Sequence, residues 1–438
     1  MNIILLSGGS GKRLWPLSNE VRSKQFIKIF KDENGKYESM LQRVYRQIVQ
    51  IYNNANVTIA TSKAQVSAIH NQLGSCTGIC VEPCRKDTFP AIILAASYLH
   101  DIKKLPDSDI VIVCPVDPYV DSQYFNELQK LEEVSLNNNG NIVLMGIEPS
   151  YPSEKYGYII PGDNKYISKV VTFKEKPDKK TAKKYISGGA LWNGGVFAVK
   201  LGYLLDKAYE LTGFRSYNDI YSKYNSFDKI SFDYAVLEKE KNIYVIRFAG
   251  EWKDIGTWNT FTEAVHETSI GNATISQDCC NVHVINELDI PILCMGLKDT
   301  VVSASPDGIL VSDKEQSSYI KPYVDKMDNI IMFAEKSWGS FKVLDVESES
   351  MVIKVTLKHG NRMNYHSHEN RDEIWNVIKG QGRVIVDGME QVIMTGDVIT
   401  IKAGYKHTVI ADTELKIIEV QLGKDINVND KTKFKLEN

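Results

Sequence analysis

The N-terminal part of the chain alternates short apolar runs with amphipathic segments. Residues 110–113 and 142–144 are continuous apolar runs, as expected for strands that other elements cover on both faces. Residues 90–100 have the pattern of a helix between such runs. This alternation predicts an α/β layer with a mixed, mainly parallel sheet over residues 1–271.

The pattern changes near the end of that region. Residues 272–336 hold short β-rich runs that Gly, Asn and Asp interrupt, which predicts a β-rich connector. Beyond the connector almost every segment is strand-like or turn-like, including the turn at Asp387 and Gly388. We therefore predict three domains, the last of them an all-β sandwich or small barrel over residues 337–438.

Composition and charge narrow the classes of function. The 438 residues include 52 Lys and Arg against 55 Asp and Glu, a net charge of −3, so nothing indicates binding to nucleic acid or an anionic membrane. No apolar run approaches the ~18 residues that span a bilayer, and no basic region with a cleavage site opens the chain. Seven cysteines without a C-x-x-C pattern favour reduced thiols, so we expect a cytoplasmic protein.

A glycine-rich loop follows the first strand-like run. Residues 7–18 read SGGSGKRLWPLS, and such a turn after a buried strand lets backbone N–H groups approach phosphates. A Walker A loop needs Ser or Thr after its Lys, but Arg13 follows Lys12 here. Pro16 obstructs the helix that a dinucleotide-binding loop would open. With Lys24 as a further cation, the loop suits a triphosphate, although a tight structural turn stays an alternative.

Two aspartates are candidates for a cation site. Asp117 ends a buried strand and therefore lies at the carboxyl edge, where α/β sheets bind ligands. Asp254 follows the strand-like residues 244–248. Two carboxylates from different strands could hold one Mg²⁺ against phosphates. The alternative, that each aspartate is an N-cap or turn residue, is open at this point.

These segments together resemble the sugar-1-phosphate nucleotidylyltransferases, especially the mannose-1-phosphate guanylyltransferases. Residues 8–18 match the signature loop of that family, and Lys24-Gln25-Phe26 follow it. The further matching blocks, in chain order, are residues 82–83 with 87–91, 114–117, 146–149 with 156–159, 173–177, 192–197 and 252–258. The departures from the family pattern are Lys12 for Thr, Ser23 for Pro, Pro118 for His and Gly194 for Ser.

The resemblance implies a Rossmann-like domain that transfers a nucleotidyl group to a sugar-1-phosphate and releases pyrophosphate, with Mg²⁺. GTP and mannose-1-phosphate are the favoured substrates. The implied catalytic residues are Arg13, Lys24, Asp117 and Asp254, of which the two aspartates bind Mg²⁺. The implied nucleotide-binding residues are Leu6, Gly8, Gly9, Ser10, Gly11, Lys12, Glu82, Thr88, Pro90 and Ala91. The implied sugar-phosphate-binding residues are Gly157, Glu175, Lys176 and Asn193.

Three rival functions stay open. The first is the same reaction with another base or another sugar-1-phosphate. The second adds mannose-6-phosphate isomerase activity in the C-terminal domain. The third is a regulator that binds a nucleotide sugar without turnover, and the four charged catalytic candidates argue against it. The family also includes oligomers, so a homo-oligomer is possible.

The C-terminal domain carries a candidate metal site. His366 and His368 stand two residues apart, so a strand would point both toward one face. Glu373 and His407 would complete a site of three nitrogens and one oxygen, which suits a divalent transition metal of unknown identity. The spacing of these residues and of the nearby glycines resembles the two motifs of the cupin barrel over residues 337–423.

In the guanylyltransferase family such a cupin often carries phosphomannose isomerase activity. Arg371, Glu373 and Trp375 match that subgroup, whereas His366 stands in place of Gln and Ile374 in place of His. Isomerisation needs a base that moves a proton between C1 and C2, and the sequence singles none out. An isomerase, a barrel with another sugar-phosphate role and a structural barrel all stay open.

Overall fold

A computed structural model describes residues 1–9, 12–74, 77–137, 140–327, 331–424, 426–427 and 430–436. The chain divides into two compact units. The first combines residues 1–10 with 23–266, and the second combines residues 11–22 with 267–438. The glycine-rich segment is therefore divided between the units. The three-domain division made from the sequence stays a prediction.

The first unit is built on one mixed sheet. Its strands are β1 (Asn2–Ser7), β2 (Phe30–Lys31), β3 (Tyr37–Glu38), β4 (Asn56–Ser62), β5 (Gly78–Glu82), β6 (Ile110–Pro115), β7 (Pro118–Val120), β8 (Ile142–Ile147), β9 (Tyr158–Pro161), β10 (Ile167–Lys174), β11 (Leu191–Lys200), β12 (Ile243–Phe248) and β13 (Trp252–Asp254). The nine-stranded sheet has the order β5-β4-β1-β6-β11-β8-β12-β10-β9. Strands β5, β4, β1 and β6 are parallel neighbours, and β11 lies antiparallel between β6 and β8. The expected α/β architecture with a mixed sheet is confirmed.

Helices pack against this sheet because their apolar residues are buried on it. They are α1 (Met40–Ile51), α2 (Val66–Leu73), α3 (Thr88–Asp101), α4 (Ser122–Asn137), α5 (Lys179–Ser187), α6 (Leu201–Thr212), α7 (Tyr217–Lys223) and α8 (Trp258–Ala264). Helix α3 includes the predicted helical residues 90–100, and ten of its residues are buried. Asp87 caps its start by accepting a hydrogen bond from the Thr88 N–H. One π-helical turn, Asp233–Leu237, precedes β12.

A two-stranded ribbon stands at the carboxyl edge of the sheet. Strand β7 follows β6 after one short turn and pairs antiparallel with β13. The register places Asp254 opposite Pro118. Since Asp117 directly precedes Pro118, this pairing brings together two residues that are far apart in the sequence.

The second unit begins with short strands that pair mostly in parallel. They are β14 (Ser269–Ile270), β15 (Ala273–Ile275), β16 (His283–Asn286), β17 (Ile292–Cys294), β18 (Thr300–Ser305) and β19 (Gly308–Asp313), followed by the short helix α9 (Lys321–Val324). Strands β14, β16 and β18 are parallel neighbours, as are β15 and β17, and β19 closes a hairpin with β18. A small apolar core lies between them, with Val282, Val284, Cys294 and Val302 buried.

The C-terminal region is all β. Its strands are β20 (Phe333–Lys336), β21 (Gly339–Val346), β22 (Ser350–Leu357), β23 (His366–Ser367), β24 (Arg371–Lys379), β25 (Gln381–Val386), β26 (Met389–Met394), β27 (Val398–Ile401), β28 (His407–Ala411), β29 (Leu415–Gly423) and β30 (Thr432–Lys433). Two sheets, in the orders β20-β21-β22-β29-β24-β27 and β26-β25-β28-β23-β30, share one core that contains Trp375 and Val409. The expected all-β C-terminal architecture is confirmed. In the part of the chain that the structure describes, no helix is long and apolar enough to cross a membrane.

Candidate functional site

Lys24 bridges the two candidate aspartates in the first unit. Its Nζ lies 2.9 Å from Asp117 Oδ2 and 3.7 Å from Asp254 Oδ1. Asp254 ends β13, Asp117 directly precedes β7, and the short helical turn Lys24–Phe26 supplies the ammonium. The carboxylates keep solvent access, with side chains 40% and 34% exposed, so a ligand can reach them.

The charges of this cluster fit a bound cation. Burial raises the pKa of Asp117, and the charge and hydrogen bond of Lys24 lower it further than burial raises it, so the net pKa lies below 3.8. Asp117 is therefore an anion at neutral pH. Two carboxylates that converge on one positive group offer the hard oxygen ligands that Mg²⁺ prefers. The residues present thus fit the expected magnesium site.

A hydrogen-bond network closes the glycine turn in the first unit. Ser23 Oγ donates to the Gly9 carbonyl at 3.1 Å and accepts from Gln65 Nε2 at 2.7 Å. Gln65 Oε1 in turn accepts from Thr61 Oγ1 at 2.8 Å. Gly9 has a φ of +117° with open space where a Cβ would be, and both Gly8 and Gly9 are exposed. Exposed backbone of this kind is available to phosphate oxygens.

The other residues expected in the signature loop differ in their surroundings. Ser10 and Gly11 lie outside the described residues. Lys12 belongs to the second unit, where its Nζ lies 3.1 Å from Asp325 and 3.4 Å from Glu20. Arg13 belongs to the same unit and its side chain is exposed.

Residues expected to bind the nucleotide lie on neighbouring elements. Leu6 is at the end of β1 and Glu82 at the end of β5, and the parallel pairing through β4 puts both ends at one edge of the sheet. Glu82 is buried and accepts from Tyr224 Oη at 2.7 Å, while burial raises the pKa of the Glu82 carboxyl. Thr88 Oγ1 accepts from the Phe232 N–H at 2.8 Å. The remaining two expected residues, Pro90 and Ala91, are buried in α3.

The four expected sugar-phosphate residues lie together in the first unit. Glu175 is buried and paired with the Lys176 ammonium. A Cβ on Gly157 would lie 2.6 Å from Glu175 Oε2, so only glycine allows this carboxylate to approach the backbone. The Asn193 N–H donates to the Gly157 carbonyl at 2.8 Å.

Sequence reasoning missed two acidic residues at this subsite. Asn193 Nδ2 donates to Asp233 Oδ1 at 2.6 Å, and the Glu175 N–H donates to Glu238 Oε1 at 3.1 Å. Burial, and then the charge of Glu175, raises the pKa of Asp233 to about 7. The π-helical turn Asp233–Leu237 places them, and such turns are frequent at functional sites. The acidic sequence FDYAVLEKE at 232–240 was the available signal.

Three histidines converge inside the C-terminal barrel. His366 on β23 lies directly opposite His407 on β28, and one ligand nitrogen from each of these and of His368 lies within 4.8 Å of the others. The Nδ1 atoms of His366 and His407 contact the carbonyls of Asn364 at 2.6 Å and Tyr405 at 2.9 Å. The Nδ1 of His368 contacts a carbonyl in the same way, that of Asp430. Because a carbonyl only accepts, each Nδ1 carries the proton and each Nε2 keeps a lone pair, which on His368 accepts from Arg371 Nη2 at 2.9 Å.

This arrangement fits a divalent transition metal. His407 Nε2 is buried and has no hydrogen-bond partner among the described residues, as expected for a metal-ligand atom. Burial lowers the pKa of His366 to about 2 and of His368 to about 4, so both imidazoles are neutral, the form that binds metal. The triad therefore meets the chemical requirements of such a site.

Glu373, the fourth expected ligand, lies beside the triad. Its oxygens are 3.2 Å from His368 Nε2 and 3.3 Å from His407 Nε2. The same carboxylate accepts from Arg371 Nε at 3.1 Å and from Trp375 Nε1 at 3.0 Å. Glu373 therefore has two fixed donors of its own, and its place as a metal ligand stays a prediction.

Sequence reasoning also missed polar residues near the triad. Burial, and then the charge of Glu373, raises the pKa of Glu419 to about 8, and Glu419 accepts from Gln421 Nε2. Burial lowers the pKa of Lys431 to about 8, and its charge in turn lowers the pKa of His366. These residues follow no recognisable spacing, so only the folded barrel reveals them.

Replacement of one histidine tests the metal site. We expect the purified protein to carry about one divalent ion per chain and His407→Ala to lose it, since three nitrogens converge there. His359→Ala is the matched control, because His359 is exposed and lies outside the triad. Metal content is measured by mass spectrometry of the purified proteins. Equal metal content in His407→Ala and wild type would contradict the assignment.

Two family models match the chain. The family model described as nucleotidyl transferase matches residues 2–269, and the one described as mannose-6-phosphate isomerase C-terminal matches residues 325–436. The xanthan biosynthesis protein XanB of Xanthomonas campestris pv. campestris (strain B100) is 28% identical, with 98% of this chain and 97% of that protein covered. A putative mannose-1-phosphate guanylyltransferase of Vibrio cholerae is 27% identical, with 98% of both chains covered.

A solved structure supports the fold of the larger part. A protein of Thermus thermophilus, described as a mannose-1-phosphate geranyltransferase, matches with a TM-score of 0.63 and 24% identity. The match covers 74% of this chain and 98% of that one. The resemblance drawn from the sequence is confirmed by the family match over more than half of the chain. The chain belongs to the nucleotidyl transferase family.

Proposed function

We propose that the protein transfers the guanylyl group of GTP to mannose-1-phosphate and forms GDP-mannose and pyrophosphate. The observation that carries the proposal is the cluster of Lys24, Asp117 and Asp254 at the carboxyl edge of the sheet. Relatives that cover almost the whole chain and are named mannose-1-phosphate guanylyltransferase support the choice of base and sugar. These are cytosolic metabolites, so the proposal includes a cytoplasmic location.

The reaction needs positioning and charge neutralisation more than proton transfer. An oxygen of the sugar phosphate attacks the α-phosphorus of GTP, the bond from that phosphorus to the bridging β-oxygen breaks, and pyrophosphate leaves with the electron pair. The attacking oxygen is already an anion, so no general base is required. Lys24 and Arg13 are the cations we assign to the negative charge that develops on the transferred and leaving phosphates.

Asp117 and Asp254 are the residues that would hold Mg²⁺. When bound, the ion neutralises phosphate charge and lowers the repulsion between GTP and the sugar phosphate. Lys24 contacts both carboxylates and holds Asp117 in its ionised form. The two aspartates are therefore ready to accept a cation.

The sugar phosphate would bind at the subsite of Glu175 and Asn193. Buried Glu175 offers carboxylate oxygens to sugar hydroxyls, and Lys176 offers its ammonium to the phosphate. Asn193 and Asp233 form one hydrogen-bonded pair beside them, which fixes the asparagine amide. On the nucleotide side, we assign the exposed Gly8 and Gly9 backbone to the triphosphate.

Release of pyrophosphate tests this proposal. With Mg²⁺ and mannose-1-phosphate, we expect release with GTP at least about tenfold faster than with ATP, CTP or UTP. Asp254→Asn should lower kcat/KM by about 100-fold or more, since one of two cation ligands is lost. Asp278→Asn is the control, because Asp278 is an exposed acid in the second unit. Undiminished turnover by Asp254→Asn would contradict the metal assignment, and no release with any nucleotide would contradict the function.

The barrel supports a second candidate function, the isomerisation of mannose-6-phosphate and fructose-6-phosphate. The specific observation is Glu419, a buried carboxyl with a pKa raised to about 8, beside Glu373 at the histidine triad. In this isomerisation a base removes the C2 proton of the aldose to give an enediol, which regains a proton at C1, so no oxidant is needed. A carboxylate of raised pKa is a stronger base than an ordinary one.

A coupled isomerase assay tests this second function. We expect the metal-loaded protein to convert mannose-6-phosphate to fructose-6-phosphate, with the ionised Glu419 carboxylate as the base. Glu419→Gln should abolish the conversion and leave pyrophosphate release by the same protein unchanged. Absence of isomerisation in the metal-loaded wild type would exclude this function, and full activity of Glu419→Gln would exclude the base.

A further inference from the structure

Segment 12–22 contains the second half of the glycine-rich loop and the residues that follow it. Ion pairs and hydrogen bonds join this segment to the connector of the second unit. Arg22 forms a two-pronged ion pair with Glu287, with Nη1 to Oε2 at 2.7 Å and Nη2 to Oε1 at 2.8 Å. The Arg22 side chain is only 16% exposed. A paired geometry of this kind fixes the direction of a guanidinium as well as its position.

Two further anchors hold the same segment. Asn19 Nδ2 donates to Asp307 Oδ2 at 2.7 Å, while Asn19 Oδ1 accepts from the N–H groups of Val21 and Arg22. Ser305 Oγ donates to the Pro16 carbonyl at 2.7 Å. The bonds to Glu287, Asp307 and Ser305 each join the segment to a residue more than 260 positions away, near the ends of β16 and β18.

Trp15 and Gly308 are in close contact. Gly308 starts β19 with a φ of +148°, and a Cβ there would lie 2.4 Å from Trp15 Cζ2. The hairpin of β18 and β19 therefore needs glycine at this position for two reasons, its backbone conformation and its neighbour. A side chain at 308 would displace Trp15.

The anchored end of the segment leads directly to catalytic candidates. Arg22 is followed by Ser23, whose hydroxyl closes the glycine turn on Gly9. Lys24, the next residue, bridges Asp117 and Asp254. Restraint of the Arg22 side chain therefore limits the conformational freedom of the backbone that carries Ser23 and Lys24.

We propose that the connector positions segment 12–22 for nucleotidyl transfer, with Glu287 as the positioning residue that fixes Arg22. Glu287 touches no substrate in this role and acts through Arg22. In this role the connector contributes to the transferase reaction and does more than link the first unit to the barrel. The inference rests on the proposed function for its kinetic readout, but the anchoring itself can be measured without catalysis.

Kinetics of two independent variants test the proposal. We expect Glu287→Gln and Gly308→Ala each to raise the KM for GTP by about tenfold or more and to change the KM for mannose-1-phosphate less than about twofold. A smaller fraction of folded protein would lower kcat and leave both KM values unchanged, so the split separates positioning from instability. Gly308→Ala leaves Arg22 paired, which covers the case in which Glu287→Gln fails to fold.

Matched controls exist in the barrel. Gly388→Ala changes a glycine of φ +83° that has open space around it, and Asp412→Asn removes the acid that pairs with Arg383 at 3.1 Å. Both should keep wild-type KM values. Wild-type KM for GTP in Glu287→Gln and Gly308→Ala would overturn the proposal.

Hydrogen exchange keeps the test independent of the reaction. Peptides that cover residues 12–24 should exchange faster in Glu287→Gln and Gly308→Ala than in wild type, and at the wild-type rate in the two controls. If the wild type releases no pyrophosphate, the proposed function fails and the exchange result alone decides the anchoring. Equal exchange in all five proteins would overturn the inference.

Discussion

The proposed transferase site depends on the pairing of two three-residue strands. Strands β7 and β13 are short, yet their register places Asp254 opposite Pro118 and so beside Asp117. Two carboxylates so close repel each other, and unit charges 4 Å apart interact by about 1 kcal/mol in water and about 4 kcal/mol near a protein surface. Lys24 offsets this repulsion by contacting both. The ribbon and the lysine together therefore create a place for a cation at the edge of the sheet.

In the barrel the expected metal ligands are mainly imidazoles, whereas those of the first site are charged carboxylates. Burial lowers the pKa of His366 and of His368 and keeps both imidazoles neutral, and the Nδ1 of each donates to a backbone carbonyl. One ring nitrogen of each of the three histidines lies within 4.8 Å of the others, beside the Glu373 carboxylate, and such a cluster gains from a positive ion. We thus propose two cation sites of different chemistry. Oxygen ligands at the first suit a hard ion, and nitrogen ligands at the second suit a transition metal.

Local patterns in the sequence predict much of this. The apolar run at 110–113 is buried in β6, and the i, i+2 spacing of His366 and His368 predicts that they share a site, as they do with His407. Strand ends at one edge of a sheet predict the meeting of Asp117 and Asp254, although the pairing of β7 with β13 that achieves it has no strong signal in six residues. The resemblance then supplied the role of Lys24 and the four expected sugar-phosphate residues. The structure brings those four residues together.

Features that depend on contacts between residues far apart in the chain could not be predicted from the sequence. Asp233 and Glu419 owe their raised pKa values to burial by residues distant in the sequence, which no local period reports. The same holds for Arg22, because its partner Glu287 is 265 positions away and a lone surface glutamate looks the same in the sequence. Lys12 was expected at the nucleotide, and its contact with Asp325 could be found only in the folded chain.

The central claim is that Asp117 and Asp254 share one divalent cation during nucleotidyl transfer. Anomalous diffraction from crystals grown with Mn²⁺ and GTP tests it most directly, because Mn²⁺ accepts the same oxygen ligands as Mg²⁺ and scatters anomalously. We expect a Mn²⁺ peak within about 2.5 Å of a carboxylate oxygen of each aspartate. A Mn²⁺ ion bound to the triphosphate with neither aspartate as a ligand would contradict it.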